Sequence, residues 1–310
     1  MRDRVFVAGA SGMLGSAVCQ ALKQQGVVDI LAPTQQQLDL RDMDAVGEFF
    51  RAERPTVVVL AAAKVGGIQA NINSPADFLF ENLAIQNSVI HQSHSSRVRK
   101  FCFLGSSCIY PCECSQPMKE EYLLAGPLEP TNEAYALAKI AGLKMVQYYR
   151  KQYGFPGISL MPCNLYGTND HFDLKRSHVL SALVKRFVDA ADLGQSAVTL
   201  WGSGAARREF MHVNDAARAV VYFLDHHDGP DHVNVGWGKD ISIKELSDLV
   251  GRLSGFNGAV TWDTSRPDGM MRKCLDVRRM RDLGFMPTIG LEEGVKRTIA
   301  EYRQLKQASR

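Results

Sequence analysis

The chain has 310 residues, 45% of them hydrophobic, and a formal net charge of +3. That is enough apolar material for one large domain or two coupled ones. The net charge is small and no aromatic-interleaved basic stripe or nucleic-acid motif appears, so a DNA or RNA partner is disfavoured, and no apolar run approaches bilayer length. The opening MRDRVFVAGASG has only a five-residue apolar run before its glycines, too short for a signal sequence. Seven cysteines, an odd count with no spaced framework, suit a reducing compartment without structural disulfides. A cytoplasmic protein with no membrane segment is expected.

Short β-rich runs alternate with helical patterns through the first half: RVFVA at 4–8, DILA at 29–32, TVVVL at 56–60, KFCFL at 100–104 and GISLMP at 157–162. Three of them are nearly continuous in apolar residues, as strands are when helices cover both faces of a parallel sheet. The predicted fold class is α/β, a doubly wound parallel sheet. After Pro162 the rhythm loosens around GTNDHFDLKRS and TSRPDGMMRK, which predicts a smaller C-terminal substrate-binding lobe. The expected division is 1–165 for dinucleotide binding and 166–310 mainly for substrate, with residues 208–225 returning a strand and a helix to the first sheet. Helices at about 76–95 and 133–153 look apolar on more than one face.

Residues 1–150 carry 14 basic and 14 acidic residues, and residues 151–310 carry 22 and 19. The later basics come as neighbours: Lys175-Arg176, Lys185-Arg186, Arg207-Arg208 and Arg272-Lys273. They suit either a phosphorylated small molecule or a solvated surface.

Directly after the first strand, GASGMLG places Gly9, Gly12 and Gly15 at the entrance to a helix. Glycines there let the backbone turn tightly and approach a pyrophosphate, which meets the amides of the helix N-terminus. The second strand ends in neither the acid that would bind a free ribose 2′-hydroxyl nor the base that would bind a 2′-phosphate. Asp39 either faces the adenine or caps the helix before RDMDAV. Tyr135 and Lys139 stand four apart on one helical face, where an ammonium can lower the pKa of a phenol. Tyr302 and Lys306 repeat that spacing with no serine-bearing strand end before them, and read as solvated surface. Cys108, in GSSCIYP at 105–111, is on its own a buried inert thiol. His178, opening SHVLSALVKRF, is on its own a capping or hydrogen-bonded histidine.

The glycine loop, the strand-end Ser106 and the Tyr-x-x-x-Lys pair, in that order, resemble the extended short-chain dehydrogenase/reductase superfamily of Rossmann fold. Within it, AAAKVGGI at 61–68, LGSSCIYP at 104–111, EPTNEAYALAKIAG at 129–142, NLYG at 164–167, SHV at 177–179, WGSG at 201–204, REFMHV at 208–213 and PDG at 267–269 resemble the GDP-L-fucose synthase family over nearly the whole chain. The resemblance implies an enzyme that epimerises C3 and C5 of GDP-4-keto-6-deoxy-D-mannose and reduces the C4 ketone with NADPH. It implies Ser106, Tyr135 and Lys139 for reduction, Cys108 as base and His178 as acid for epimerisation, and no metal.

For the cofactor it implies Gly9, Ser11, Gly12, Met13, Leu14 and Gly15 in the loop, Asp39 and Leu40 beyond the second strand, and Leu104, Gly105, Ser106 and Ser107 at the end of the fourth. Tyr135, Lys139, Pro162, Asn164, Leu165 and His178 complete that set. Asn164, Arg186, Trp201, Arg208 and Asp268 are implied for the GDP-sugar, and a homodimer for the assembly. Some family members carry arginines where this chain has Ser11 and Gln35, so a modest preference for NADPH over NADH is expected. Two alternatives are another nucleotide-sugar epimerase or dehydratase of this fold and a dinucleotide-binding regulator without chemistry. Ser107-Cys108 lacks the acid and base pair of a dehydratase, and intact Ser106, Tyr135 and Lys139 speak against the regulator. A metal on Cys108, Cys112 and Cys114 would lack a fourth ligand spaced nearby.

Overall fold

The computed structural model describes residues 3–173, 177–265 and 269–308. The first half is β1 (Arg4–Ala8), α1 (Met13–Gln24), β2 (Asp29–Leu31), α2 (Met43–Glu53), β3 (Val57–Leu60), α3 (Ile68–Asn73), α4 (Pro75–Ser95), β4 (Lys100–Leu104), α5 (Glu133–Tyr153) and β5 (Gly157–Pro162). It continues through β6 (Asn164–Tyr166), α6 (Val179–Asp192), β7 (Ala197–Trp201), β8 (Arg207–His212), α7 (Val213–His226) and β9 (Val233–Val235). The rest is β10 (Asp240–Ser242), α8 (Ile243–Ser254), β11 (Ala259–Asp263), β12 (Arg272–Lys273), α9 (Arg278–Asp282) and α10 (Leu291–Ala308).

Six strands form one parallel sheet in the order β2-β1-β3-β4-β5-β9. β3 and β4 are buried along their whole length, as the unbroken apolar runs TVVVL and KFCFL require. The chain leaves β1 in one direction to β2 and in the other to β3, so the strand order reverses beside β1. In such sheets the crevice at the carboxyl ends of the strands near that reversal takes the ligand.

A second lobe gathers β8 between β10 and β12, with β6 also paired to β8, and sets the parallel pair β7–β11 alongside. Its core lies under α6, α8 and α10 and includes Phe187, Val250, Val295 and Ile299. Among the described residues no helix is long and apolar enough to cross a membrane.

Two expectations are corrected. The strand near 208 does not rejoin the large sheet. β8 belongs to the second sheet, and the sixth strand of the large one is β9; α7 does pack on α1. Alternation along β8 explains the misreading, because Phe210 enters the second core while Met211 enters the first. A period of two marks a strand buried on both faces without saying which sheet it joins. Tyr302 is likewise not solvated surface. It is 6% exposed, on the face of α10 that also carries Val295 and Ile299. Each of the three described pairs of neighbouring basics has a member anchored to a carboxylate: Lys185 to Asp189, Arg207 to Asp240 and Glu245, and Arg272 to Asp240. Lys175-Arg176 lies outside the described residues.

Candidate active site

A cavity of about 600 Å³ opens at the reversal point and runs from the glycine turn to the start of α5. Gly9 has φ of 89°, and a Cβ there would stand 2.6 Å from the backbone of Ala62; one on Gly15 would strike the Gly9 carbonyl. The turn therefore packs backbone on backbone. Gly12 precedes α1 with no side-chain cap, which leaves the first-turn amides facing the cavity with Ser11, Met13 and Leu14. That is the donor set a pyrophosphate needs, so a dinucleotide fits these residues.

Beyond β2 the cavity is lined by Gln35, Asp39, Leu40 and Arg41. Asp39 does not cap α2; Asp42 does, accepting from the amides of Asp44 and Ala45. The Arg41 guanidinium bonds Asp39 at 2.7 Å and reaches Glu81 at 3.3 Å; its bonds to Asp39, with a hydrogen bond from the Arg41 amide, hold the Asp39 carboxyl below its usual range. Lys64 closes the row on Glu81.

At the other end, β4 delivers Leu104 and Gly105 and then Ser106, whose hydroxyl accepts from the Cys108 amide at 3.2 Å. A single 3-10 turn, Ser107–Ile109, keeps Ser106, Ser107 and Cys108 together on the wall. α5 contributes Tyr135 and, one turn on, Lys139. The Lys139 ammonium donates to the Leu104 carbonyl at 2.9 Å and lies 5.9 Å from the Tyr135 ring centre. Burial depresses Lys139 to about 8. The expected lowering of the phenol is not found. Burial and the nearby Cys108 thiolate charge push Tyr135 up, against a hydrogen bond with Ser106 that pulls it down. Tyr135 is therefore a neutral proton carrier in this state, and Lys139 is the group nearer its titration point.

Cys108 differs from the chain's other thiols. Burial drives Cys102 and Cys274 up to about 12. Burial also opposes a thiolate at Cys108, but the Lys273 charge and hydrogen bonds from Ser106, Lys273 and Asn132 bring it below the ordinary thiol value. The contacts are direct: Lys273 Nζ lies 3.2 Å and Asn132 Nδ2 3.4 Å from the sulfur. His178 stands at the N-terminal boundary of α6, but its side chain does not cap the helix; it is exposed on the same cavity. Pro162, Asn164 and Leu165 line the wall opposite, where Asn164 Nδ2 donates to the Glu209 carbonyl.

Every residue expected at the cofactor, together with Cys108, thus lines this one cavity. Arg186, Trp201 and Arg208 do not. They stand on α6, β7 and β8 of the second lobe, with Arg186 donating to the Thr199 carbonyl and Trp201 61% exposed. Asp268 lies outside the described residues. Among the described residues no group of three histidine, cysteine or acidic side chains is placed to hold a metal, and all seven cysteines are free.

Sequence reading missed Asn132, Arg41 and Lys273. Asn132 sits where an α5 cap belongs, yet its amide goes to the thiol instead. Its position just ahead of YALAK was the available signal. Lys273 is 165 residues from Cys108 and offered only a basic doublet.

The sequence pattern of the NAD dependent epimerase/dehydratase family matches residues 5–236. The chain is 48% identical to GDP-L-fucose synthase 1 of Arabidopsis thaliana, over 96% of its own length and 93% of the relative's. It is 46% identical to the GDP-L-fucose synthase of Escherichia coli K12, over 96% and 95%. The solved structure of a GDP-L-fucose synthetase from Naegleria fowleri bound to NADP superposes with a TM-score of 0.89 at 26% identity, covering 98% of this chain and 95% of that one. With that cavity, that thiol and these relatives, the chain belongs to the NAD dependent epimerase/dehydratase family and, within it, to the GDP-L-fucose synthases.

Proposed function

We propose that the chain converts GDP-4-keto-6-deoxy-D-mannose to GDP-L-fucose, epimerising C3 and C5 and then reducing the C4 ketone with NADPH. The observation that carries this is the Cys108 thiol, held by Lys273 and Asn132, one turn from Ser106 in the cavity that also holds Tyr135. A plain reductase needs no such thiolate. Hydrogens at C3 and C5 are acidic because both carbons flank the ketone. Cys108 removes one as a proton, and His178 returns a proton on the opposite face. The Ser106 hydroxyl polarises the C4 oxygen throughout, so enolate and ketone keep one anchor. NADPH, when bound, supplies the hydride that C4 accepts. Tyr135, neutral and buried, then gives its proton to the developing C4 alkoxide.

Lys139 would hold the nicotinamide ribose, a role its buried and depressed ammonium suits. The glycine turn would hold the pyrophosphate, Asp39 and Leu40 the adenine, and Leu104, Gly105, Ser107, Pro162, Asn164, Leu165 and His178 the remaining wall. Asn164, Arg186, Trp201, Arg208 and Asp268 would bind the GDP-sugar, with an arginine fork suited to a diphosphate.

A homodimer through α4 and α5 belongs to the same reading, since those helices pack on each other and leave Phe80, Tyr148 and Tyr153 exposed; sedimentation at micromolar concentration tests it. So does a cytoplasmic location, which the free thiols suit.

The deciding experiment incubates the protein with GDP-4-keto-6-deoxy-D-mannose in D2O. Without NADPH, NMR should show deuterium entering C3 and C5; with NADPH it should show GDP-L-fucose. Cys108→Ser should lose the exchange by roughly a hundredfold or more while still binding NADPH. Exchange at the wild-type rate in that variant overturns the assignment of the base.

A further inference from the structure

We propose that Lys273 is a positioning residue for proton transfer: its ammonium, brought from β12 of the second lobe, keeps Cys108 a thiolate. This rests on the reading of Cys108 as the base and adds the group that makes it one.

The geometry carries the proposal. Lys273 Nζ donates to the sulfur at 3.2 Å, and among the described residues no carboxylate pairs with it. Its neighbour Arg272 is bound to Asp240, so the two members of the doublet have separate tasks. The segment that carries Lys273 is fixed on both sides. β12 pairs in parallel with β8, Arg272 opposite Arg207 and Lys273 opposite Arg208, and the Arg207 amide donates to the Met271 carbonyl. On the other side the Cys274 amide donates to the Gln116 side chain at 3.0 Å. The Met118 amide donates to the Cys274 carbonyl, and the Asp276 amide to the Met118 carbonyl. Glu209, buried in β8, takes the Leu275 amide at 2.8 Å.

Residues 116–118 follow the Cys108 loop in the chain, so the segment that delivers the ammonium is stitched to the same loop that presents the thiol. The groups facing the sulfur are Lys273 from β12, Asn132 from the start of α5, the Ser106 hydroxyl from the same turn and Tyr135 from α5. Lys273 is the cation among them, and a cation at contact distance favours the thiolate of a thiol that burial alone would keep protonated.

A second consequence follows from the register. Arg208, the residue proposed for the GDP-sugar, lies directly opposite Lys273. Register partners in a parallel pair project to the same face, so substrate capture and thiolate formation depend on one pair of strands.

The test reads the thiol itself. The holo-length protein is alkylated with iodoacetamide from pH 5 to 10, and the Cys108 peptide is followed by mass spectrometry. The wild-type midpoint should lie below that of an ordinary thiol. Lys273→Met should raise it by about one pH unit or more, an alkylation rate at pH 7 roughly tenfold lower, and Lys273→Arg should restore most of the difference. The pH profile of deuterium wash-in should move with the thiol. An unchanged midpoint in Lys273→Met overturns the proposal. If that variant does not fold, Lys273→Gln replaces it, and a wild-type midpoint at the ordinary thiol value overturns the proposal without any variant. A raised midpoint in Lys273→Met combined with wild-type exchange in Cys108→Ser keeps the role of Lys273 on the thiol and removes Cys108 as the base.

Discussion

Two tyrosine–lysine pairs share one spacing and have opposite surroundings. On α5, Lys139 donates to a backbone carbonyl, and Tyr135 stands beside Ser106 on the cavity wall. On α10, the Tyr302 hydroxyl donates to Asp189 at 3.0 Å and Lys306 bonds the same carboxylate at 2.7 Å. Lys185 adds a third donor, at 2.8 Å from Asp189 and 2.9 Å from the Tyr302 oxygen. A four-residue spacing puts two side chains on one face and says nothing more. What decides their use is whether a carboxylate is already there. With one, the protons are committed and the pair ties α10 to α6. Without one, the ammonium is destabilised and the phenol keeps a proton that a reacting group can take.

The sharpest way to break the comparison is to exchange the phenols. Tyr135→Phe should lower the rate of C4 reduction by roughly a hundredfold or more, because the alkoxide loses its proton donor. Tyr302→Phe should leave turnover within about threefold of wild type and cost about 1 kcal/mol in denaturant unfolding, the loss expected when a partly buried carboxylate loses one of several donors. Steady-state kinetics with the keto sugar checks the first and urea titration the second. Equal kinetic losses in the two variants would remove the distinction.

Asp189 is the next point of attack. Asp189→Ala leaves Tyr302, Lys185 and Lys306 without their shared acceptor and should destabilise the fold by about 1–2 kcal/mol, since the groups are partly exposed and Lys306 keeps Asp192. NADPH affinity measured below the unfolding transition should not change. A drop in that affinity beyond about threefold would mean that α10 bears on the cofactor site.

The two lysines also answer alkaline pH in opposite senses. Burial sets Lys139 at about 8, below its ordinary 10.5, so between those values the unfolded chain holds a proton that the folded one has released. Its contribution to stability therefore rises as pH climbs through that window. Lys306 is raised by Asp189 and Asp192, so its contribution is present below 10.5 and is lost as pH rises beyond it. In the absence of NADPH, urea unfolding at pH 7.5 and 9.5 should show wild type gaining on Lys139→Met by on the order of 1–2 kcal/mol. Parallel changes in the two proteins would show that Lys139 does not titrate in that range.

Much of the large sheet was legible because strands buried on both faces leave nearly continuous apolar runs, and β1, β3 and β4 do so, while β5 carries Ser159 among its apolar residues. β9 was not, since Val233–Val235 is three residues long and gains its place only by pairing with β5. The glycine turn, Ser106 and the α5 pair were readable because their chemistry is local: a turn, a strand end, one helical face. The environment of each was not. Whether Tyr302 is buried depends on α6, more than a hundred residues earlier, and whether Cys108 ionises depends on a strand that ends at Lys273. Local spacing proposes a group, and distant residues set its charge.

The same rule governs the adenosine end, where the expected effect is smallest. Ser11 and Gln35 carry no charge, and Arg41, the nearest guanidinium on the cavity wall, is already held by Asp39 and Glu81 as Lys306 is held by Asp189. A cation committed to two carboxylates has little left for a 2′-phosphate, so NADPH should bind only modestly better than NADH. Gln35→Arg, which adds a guanidinium with no acid assigned to it, should widen the ratio of dissociation constants about tenfold, or about 1.4 kcal/mol. Asp39→Asn should widen it as well by releasing Arg41, and the gain should fade with added salt because the site is open to solvent. Fluorescence titration of both cofactors at two ionic strengths checks this. A wild-type preference above about a thousandfold, some 4 kcal/mol, would show that Arg41 or Lys64 leaves its carboxylates for the phosphate, and the contrast between committed and uncommitted cations would then fail at this end of the cavity.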